Sequence, residues 1–412
     1  MSDQQHRAPS GPKPSSGPDS ETVGAAAPAP AASLDELRAH INQVDDQLVR
    51  LLNERAGLSL AVGAYKAARN EPVHRPFREE ALLERLARES HGPLRENQLR
   101  AVYREILALS RQLQSPQRIA CLGPAGTFSH LAGLAFLGRN ADFELQANLV
   151  DVFNAVSEGD CALAVSPLEN SLHGSVGQCL DLFLTHPVHI TAEFFYRIRH
   201  ALLSRETDLA KIKTVFSHPQ GLAQCGEWLR RNLPAAEAIS VDSTAKAAHL
   251  AAENSHSAAV AHADLAQELG LLVLAQSIAD QNHNHTRFVL LAPGRLENGA
   301  ALPADMPSHG QPAKTSLLFT LPDRPGALAA ILGILAQAQI NLSKLESRPG
   351  KGEDWAYVFF ADVAVNLMGA AYERILRDLK RNAHELRILG VYPPGSVLAD
   401  NGEGKTTKVT DP

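Results

Sequence analysis

Three consecutive residues, Thr286-Arg287-Phe288, bring a hydroxyl, a guanidinium and an aromatic ring together two positions after Asn284. They precede the apolar run Val289-Leu290-Leu291, so they stand where a loop enters a strand. A hydroxyl beside an arginine suits a carboxylate ligand, because the guanidinium offers a planar pair of donors. Taken alone, the three residues also fit a polar strand edge. Three upstream groups carry compatible chemistry. Gly123-Pro124-Ala125-Gly126-Thr127-Phe128-Ser129-His130 offers backbone N–H groups and hydroxyls to an anion. Ser166-Pro167-Leu168-Glu169-Asn170-Ser171 adds a carboxyl, an amide and hydroxyls, and Ser217-His218-Pro219-Gln220 adds a further amide. His283 and His285 alternate in a strand-edge loop, a poor arrangement for a metal, and none is expected.

In kind, order and approximate spacing, these four groups resemble prephenate dehydratase over roughly residues 118 to 293. The resemblance implies dehydration and decarboxylation of prephenate to phenylpyruvate without a cofactor. It also implies two α/β lobes, as in periplasmic binding proteins, with the substrate between them. The enzyme must help a ring hydroxyl leave and must orient the ring carboxylate. Thr286 is the first candidate for donating to the leaving hydroxyl. Glu169 is the second, as an acid if burial raises its pKa. Thr127, Asn170 and Ser171 are expected as donors, Arg287 as the charge and Phe288 as part of the same motif. Gln220 and the pair Ser243-Thr244 are second-rank contacts, whereas His218 is expected to cap a turn. Arogenate differs from prephenate in one side-chain group, and both substrates fit this reading.

Upstream, the chain must supply a different kind of element. Ser33 with Glu36 is a capping box, and the apolar positions Leu34, Leu37, Ile41, Val44, Leu48 and Leu51 alternate spacings of three and four. The next seam position is Arg55, after which Leu58, Val62 and Tyr65 resume the row. An arginine there needs a partner anion or must snorkel to the edge of the helix contact. Helices are predicted at Phe77 to Glu89 and at Glu96 to Gln114. One long helix with two short ones calls for a second chain to cover it.

This segment resembles the all-α (AroQ) class of chorismate mutase through Arg38, Arg55, Lys66, Arg78, Glu79, Ser110 and Gln114. That family rearranges chorismate to prephenate. Because the reaction is intramolecular, a protein need only hold the diaxial conformer and stabilise charge on the breaking ether oxygen. Arg38 and Arg55 suit the two carboxylates, Lys66 and Gln114 the ether oxygen, and Glu79 the ring hydroxyl. Ser110 and Gln114 share a helix face. Arg75 occupies a position that is acidic in some family members and receives no role here. Arg38 and Lys66 are 28 residues apart on one helix, or about 42 Å at 1.5 Å per residue. If both serve one site, Arg38 must come from a second chain, and an intertwined homodimer or higher homo-oligomer follows.

Beyond a linker marked by Pro303, Pro307, Gly310 and Pro312, the predicted order is βαββαβ, the ferredoxin-like unit. Its elements are Thr315 to Thr320, Gly326 to Gln339, Leu342 to Glu346, Trp355 to Val363, Ala370 to Ala383 and Leu386 to Val391. The unit resembles an ACT domain through Gly326-Ala327-Leu328 and Glu346-Ser347-Arg348-Pro349. In dehydratases this module implies an L-phenylalanine site and feedback inhibition.

The expected organisation is a disordered tail at 1–32, a mutase domain at 33–115 and a dehydratase domain at 116–293. A linker at 294–313, an ACT domain at 314–393 and a flexible tail at 394–412 complete it. The three resemblances in order are those of bifunctional chorismate mutase–prephenate dehydratases. A dehydratase whose helices only dimerise, and a non-catalytic amino-acid sensor, are the alternatives; an intact Thr286-Arg287-Phe288 argues against the sensor. The net charge of −6, from 39 basic and 45 acidic residues, gives no global case for nucleic acid or an anionic membrane. Four cysteines without CxxC spacing read as reduced thiols. With no apolar span or signal-peptide pattern, a cytoplasmic protein is expected.

Overall fold

The structure is a computed structural model and describes residues 33–296, 312–350 and 357–398. The tail expected at 1–32, most of the linker and the start of the strand expected at Trp355 lie outside the described residues. The chain divides between Arg55 and Ala56 into two units.

Helix α1 (Leu34–Ala67) runs unbroken through the division. In the first unit, Ser33 N donates to Glu36 Oε2 at 2.7 Å and Glu36 N donates to Ser33 Oγ at 3.2 Å, completing the capping box. The seam residues of this unit are about half exposed or more, from Leu37 at 49% to Leu34 at 62%.

The second unit opens with the end of α1, followed by α2 (Pro76–Glu89) and α3 (Glu96–Gln114), as the sequence predicts. Gly63 lets α1 approach α3, since a Cβ there would stand 2.6 Å from the Gln114 carbonyl oxygen.

The first lobe alternates strand and helix: β1 (Arg118–Leu122), α4 (Phe128–Leu137), β2 (Asp142–Gln146), α5 (Leu149–Ser157), β3 (Leu163–Asn170), β4 (Gly174–Ser175), α6 (Gly177–Thr185) and β5 (Val188–Arg197). The second lobe holds β6 (Ala201–Ser204), β7 (Thr214–Ser217), α7 (Pro219–Gln224), α8 (Gly226–Asn232), β8 (Glu237–Ser240), α9 (Thr244–Glu253), β9 (Ser257–Ala261), α10 (Leu265–Leu269) and β10 (Leu272–Ala275). Its five strands form a separate sheet in the order β10-β6-β9-β7-β8. The chain then returns to the first lobe as β11 (His285–Pro293), antiparallel between β3 and β5. The two lobes meet closely at Gly126, where a Cβ would collide with Leu265.

The C-terminal unit is β12 (Lys314–Thr320), α11 (Ala327–Gln337), β13 (Leu342–Pro349), β14 (Tyr357–Val363), α12 (Glu373–Asn382) and β15 (Glu385–Tyr392), in the predicted βαββαβ order. A 3-10 turn, Ala370–Tyr372, precedes α12, so that helix is shorter than the sequence implies. This sheet is continuous with that of the first lobe, along the path β13-β14-β12-β15-β5-β11-β3-β1-β2. The join is parallel, Gly390 beside Ile190, and a side chain on Gly390 would collide with the Ile190 carbonyl.

Residues 394–398, expected as the start of a flexible tail, are ordered against the first lobe. Val397–Leu398 forms β16 alongside β5, and Leu398 is buried. This apolar pair follows Pro393-Pro394-Gly395 and has a strand edge to complete. Residues 399–412 lie outside the described residues.

Candidate active sites

In the first unit, Arg38 is exposed and stands 3.6 Å from Asp35, and Arg55 is half-buried. In the second unit, Ser110 Oγ pairs with Ser59 Oγ at 2.7 Å, and Gln114 Nε2 reaches Ser110 Oγ at 3.4 Å. Lys66, one turn beyond Gly63, donates to Val73 O at 2.7 Å. Ser110, Gln114 and the end of α1 are therefore brought together. Arg78 is exposed.

Glu79 is held by Arg111 at 2.6 Å, and Arg111 also donates to Leu137 O at 2.6 Å, at the end of α4. A mutase candidate is thus tied through one guanidinium to the dehydratase lobe. Beside them His74 is buried, and its pKa is pushed down to about 4. Burial is the main cause; Glu79 opposes it, and Arg111 and Lys66 reinforce it.

The dehydratase candidates are sorted by the register of β3 and β11, which opposes Thr286 to Asn170 and Arg287 to Glu169. Successive strand residues face opposite sides, so the two pairs point apart. On the first face, Thr286 is 8% exposed and its Oγ1 lies 3.0 Å from Asn170 Nδ2. The amide nitrogen can only donate, so the threonine oxygen accepts and its proton stays available. Asn170 also donates to Asn284 Oδ1 at 2.8 Å, and Asn284 donates to Gln224 Oε1 at 3.0 Å. Gln224 Oε1 meets His200 Nε2 at 2.8 Å, and the His200 ring stands edge-on to Phe128, 5.4 Å between centroids. The chain of contacts runs from β11 through the second lobe and back to the turn at Thr127. Burial, opposed by the Gln224 contact, lowers the pKa of His200.

Several expected donors are already committed to backbone. Thr127 caps α4: its hydroxyl donates to Leu122 O at 2.8 Å and accepts from His130 N. Ser171 Oγ donates to His283 O and accepts from His285 N, both at 3.0 Å. His218 caps α7, and Ser243 caps α9 ahead of buried Thr244. Gln220 is exposed at the first turn of α7, and Gln224, at its other end, joins the network instead. Sequence reading missed Gln224 and His200; Gln224 lies one helical turn beyond a glutamine already singled out.

The opposite face holds two of the expected residues away from Thr286. Arg287, expected to hold a substrate carboxylate, meets Asp362 at 2.6 Å, Glu193 at 2.7 Å and the Tyr392 hydroxyl at 3.1 Å. Glu169, the second acid candidate, lies 3.6 Å from Arg287 and 3.0 Å from Lys344. Strand alternation turns both away from Thr286, onto the side covered by β12 to β15. Burial opposes the charge on Arg287, and Glu193, Asp362 and Tyr392 together outweigh it, holding its pKa well above the usual value. Burial likewise opposes ionisation of Asp362, and Arg287, Lys314 and Ser316 outweigh it, leaving the carboxyl below its usual range. Phe288 is buried in the first-lobe core, stacked on Phe194.

The regulatory motifs divide similarly. Gly326 takes the left-handed conformation (φ 83°) that a glycine tolerates, and Ala327 and Leu328 begin α11 behind it. Ser347 and Pro349 are exposed. Glu346 and Arg348, expected as ligand contacts with them, turn to the first lobe: Glu346 pairs with Ser175, and Arg348 forks onto Asp181 at 2.8 and 3.2 Å. The alternation of β13 separates the motif into two faces.

Residues 37–115 match the family model for chorismate mutase type II, 119–295 that for prephenate dehydratase and 315–382 that for the ACT domain. The bifunctional chorismate mutase/prephenate dehydratase of Aquifex aeolicus is 37% identical, over 87% of this chain and 98% of that protein. The chain belongs to the bifunctional chorismate mutase/prephenate dehydratase family. The Escherichia coli K12 member is 34% identical, over 88% of this chain and 96% of its own. The crystal structure of prephenate dehydratase from Arthrobacter aurescens in complex with L-Phe has 32% identity and a TM-score of 0.60. It covers 67% of this chain and 90% of that one. The three domains follow one another as the sequence motifs imply. No described helix is long and apolar enough to cross a membrane.

Proposed function

We propose that the helical domain rearranges chorismate to prephenate, that the two-lobed domain turns prephenate into phenylpyruvate, and that L-phenylalanine acting on the ACT domain inhibits the product's formation. In the second step the ring carboxylate leaves as carbon dioxide and its bonding pair completes the aromatic ring. The hydroxyl leaves with its C–O pair and takes up one proton to become water. Thr286 donates its hydrogen bond to that departing oxygen. The observation that carries this role is its contact with Asn170, which occupies the threonine oxygen as acceptor and leaves its proton for the substrate. Asn284, Gln224 and His200 hold Asn170 in place across the lobes.

In the mutase, Lys66 and Gln114 face the ether oxygen and Arg55 a carboxylate. Arg38 serves the site of a second protomer. The exposed seam of α1 supports a homodimer in which two such helices cover each other. Four free, buried cysteines fit an enzyme of the cytoplasm.

The deciding experiment feeds chorismate to the purified protein with and without L-phenylalanine. Phenylpyruvate that falls on addition of phenylalanine is expected. Accumulating prephenate would remove the dehydratase, and untouched chorismate would reduce the helices to a dimerisation element. Mixing Arg38→Ala with Arg55→Ala protomers is expected to restore part of the mutase activity that each has lost; no recovery would sink the shared site.

A further inference from the structure

Glu193, Arg287, Lys314 and Asp362 are all under a tenth exposed, and none takes part in the chemistry above. They form one cluster. Arg287 bridges Glu193 and Asp362, Lys314 stands 3.1 Å from Glu193, and Ser316 binds both Asp362 and Tyr392. Two positive and two negative charges balance. Burying them costs desolvation that well-packed apolar side chains of the same size would avoid, so stability alone does not account for them. Their placement does. Glu193 and Arg287 lie on β5 and β11, while Lys314 and Asp362 lie on β12 and β14 of the ACT domain.

A second, more open tie lies beside the first. Lys344, on the strand that carries the Glu346-Ser347-Arg348-Pro349 motif, reaches Glu169 at 3.0 Å and Glu346 at 3.3 Å. Arg287 follows Thr286 in the chain, and Glu169 precedes Asn170. Both members of the reacting hydrogen bond therefore have a chain neighbour, on the far side of the sheet, gripped by the ACT domain.

We propose that Arg287 is a positioning residue of the dehydratase rather than a substrate ligand, and that Asp362 and Lys344 form the route by which the ACT domain moves Thr286 and Asn170. The regulatory half rests on the phenylalanine reading above; the positioning half does not. A shift of β13 or β14 on ligand binding pulls Glu169 or Arg287, and the strand pair hands the displacement to the residues beside them. Phenylalanine acts through this route by binding one position of β13 and β14 more tightly than the other, the ion pairs staying made in both and carrying the displacement.

The test uses full-length Arg287→Lys, Asp362→Asn and Lys344→Met, with mutase activity in the same samples reporting the folded state. Arg287→Lys keeps the charge and loses the planar fork. It is expected to lower dehydratase kcat by about thirtyfold with KM for prephenate within about threefold. Asp362→Asn is expected to lower kcat by a smaller factor, again without moving KM. Lys344→Met, whose partner Glu169 is about a third exposed to water, is expected to keep kcat and to raise the phenylalanine concentration for half-inhibition about tenfold. A large rise in KM for Arg287→Lys, with Asp362→Asn silent, would make Arg287 a substrate ligand and overturn the positioning role. Unchanged inhibition in both Asp362→Asn and Lys344→Met would overturn the route. A wild-type enzyme indifferent to phenylalanine would remove the regulatory half, while the split between kcat and KM would still decide the positioning role.

Discussion

The two faces of the β3–β11 strand pair differ in the kind of interaction that holds them. On one face, Asn170, Asn284, Gln224 and Thr286 are neutral and linked by hydrogen bonds of 2.8 to 3.0 Å. On the other, Arg287 is surrounded by Glu193, Asp362 and Glu169, with lysines behind them. Neutral amides and hydroxyls can exchange one partner for another at low cost, which suits the face proposed to admit and release the substrate. Buried charges cannot, because losing a partner strands the other in a medium that solvates it poorly. One face is built to be rearranged and the other to hold its geometry.

The sharpest way to break this comparison is to unbalance the charged face. Glu193→Leu leaves Arg287 and Lys314 without a shared anion. It should destabilise the protein by about 3 to 5 kcal/mol, read as a fall in denaturation midpoint. A loss below about 1 kcal/mol would mean that the cluster is hydrated and the contrast overdrawn. On the neutral face, Thr286→Ala should lower dehydratase kcat by about a hundredfold or more, with mutase turnover and stability nearly unchanged. Equal loss of both activities would point to misfolding. Asn284→Ala breaks the link between Asn170 and Gln224 and should cost about 1 to 3 kcal/mol for the buried partners left unmade. That cost should fall on dehydratase kcat as well as on the melting temperature.

The smallest effect lies at His74. Its pKa of about 4 in the fold lies below the ordinary 6.5, so the unfolded chain binds the extra proton first as pH falls. Stability is unaffected above about pH 6.5 and declines from there towards pH 4, with about 1 kcal/mol lost at pH 5.5. His74→Phe should flatten that part of the stability–pH curve; an unchanged slope would place the acid sensitivity elsewhere.

Much of this was legible in the chain. The spacing of Leu34 to Leu51 gave the long helix, and the Pro and Gly breaks placed α2 and α3 within a residue. The order of motifs identified each domain. What the motifs did not carry was sidedness. Period-two alternation already placed Thr286 and Arg287 on opposite faces, but nothing local tells which face meets the substrate. The residue that holds Arg287, Asp362, is 75 positions downstream. The Glu346–Pro349 motif was divided in the same way, by Ser175 and Asp181 in another domain. Gln224 went unnoticed because an amide acquires significance only from its neighbours, here Asn284 and His200.

The parallel join at Gly390 bears on how the protein can be cut. Because β15 and β16 lie along β5, a fragment ending before Lys314 would carry β5 as an open edge. That strand is ten residues long and mostly apolar. Its unmet amides and carbonyls would form a template for pairing between copies. The ACT domain is therefore also a cover for its neighbour, and a dehydratase freed of feedback by simple truncation should precipitate. Deregulation by point substitution on β13 or β14 would leave that edge sealed.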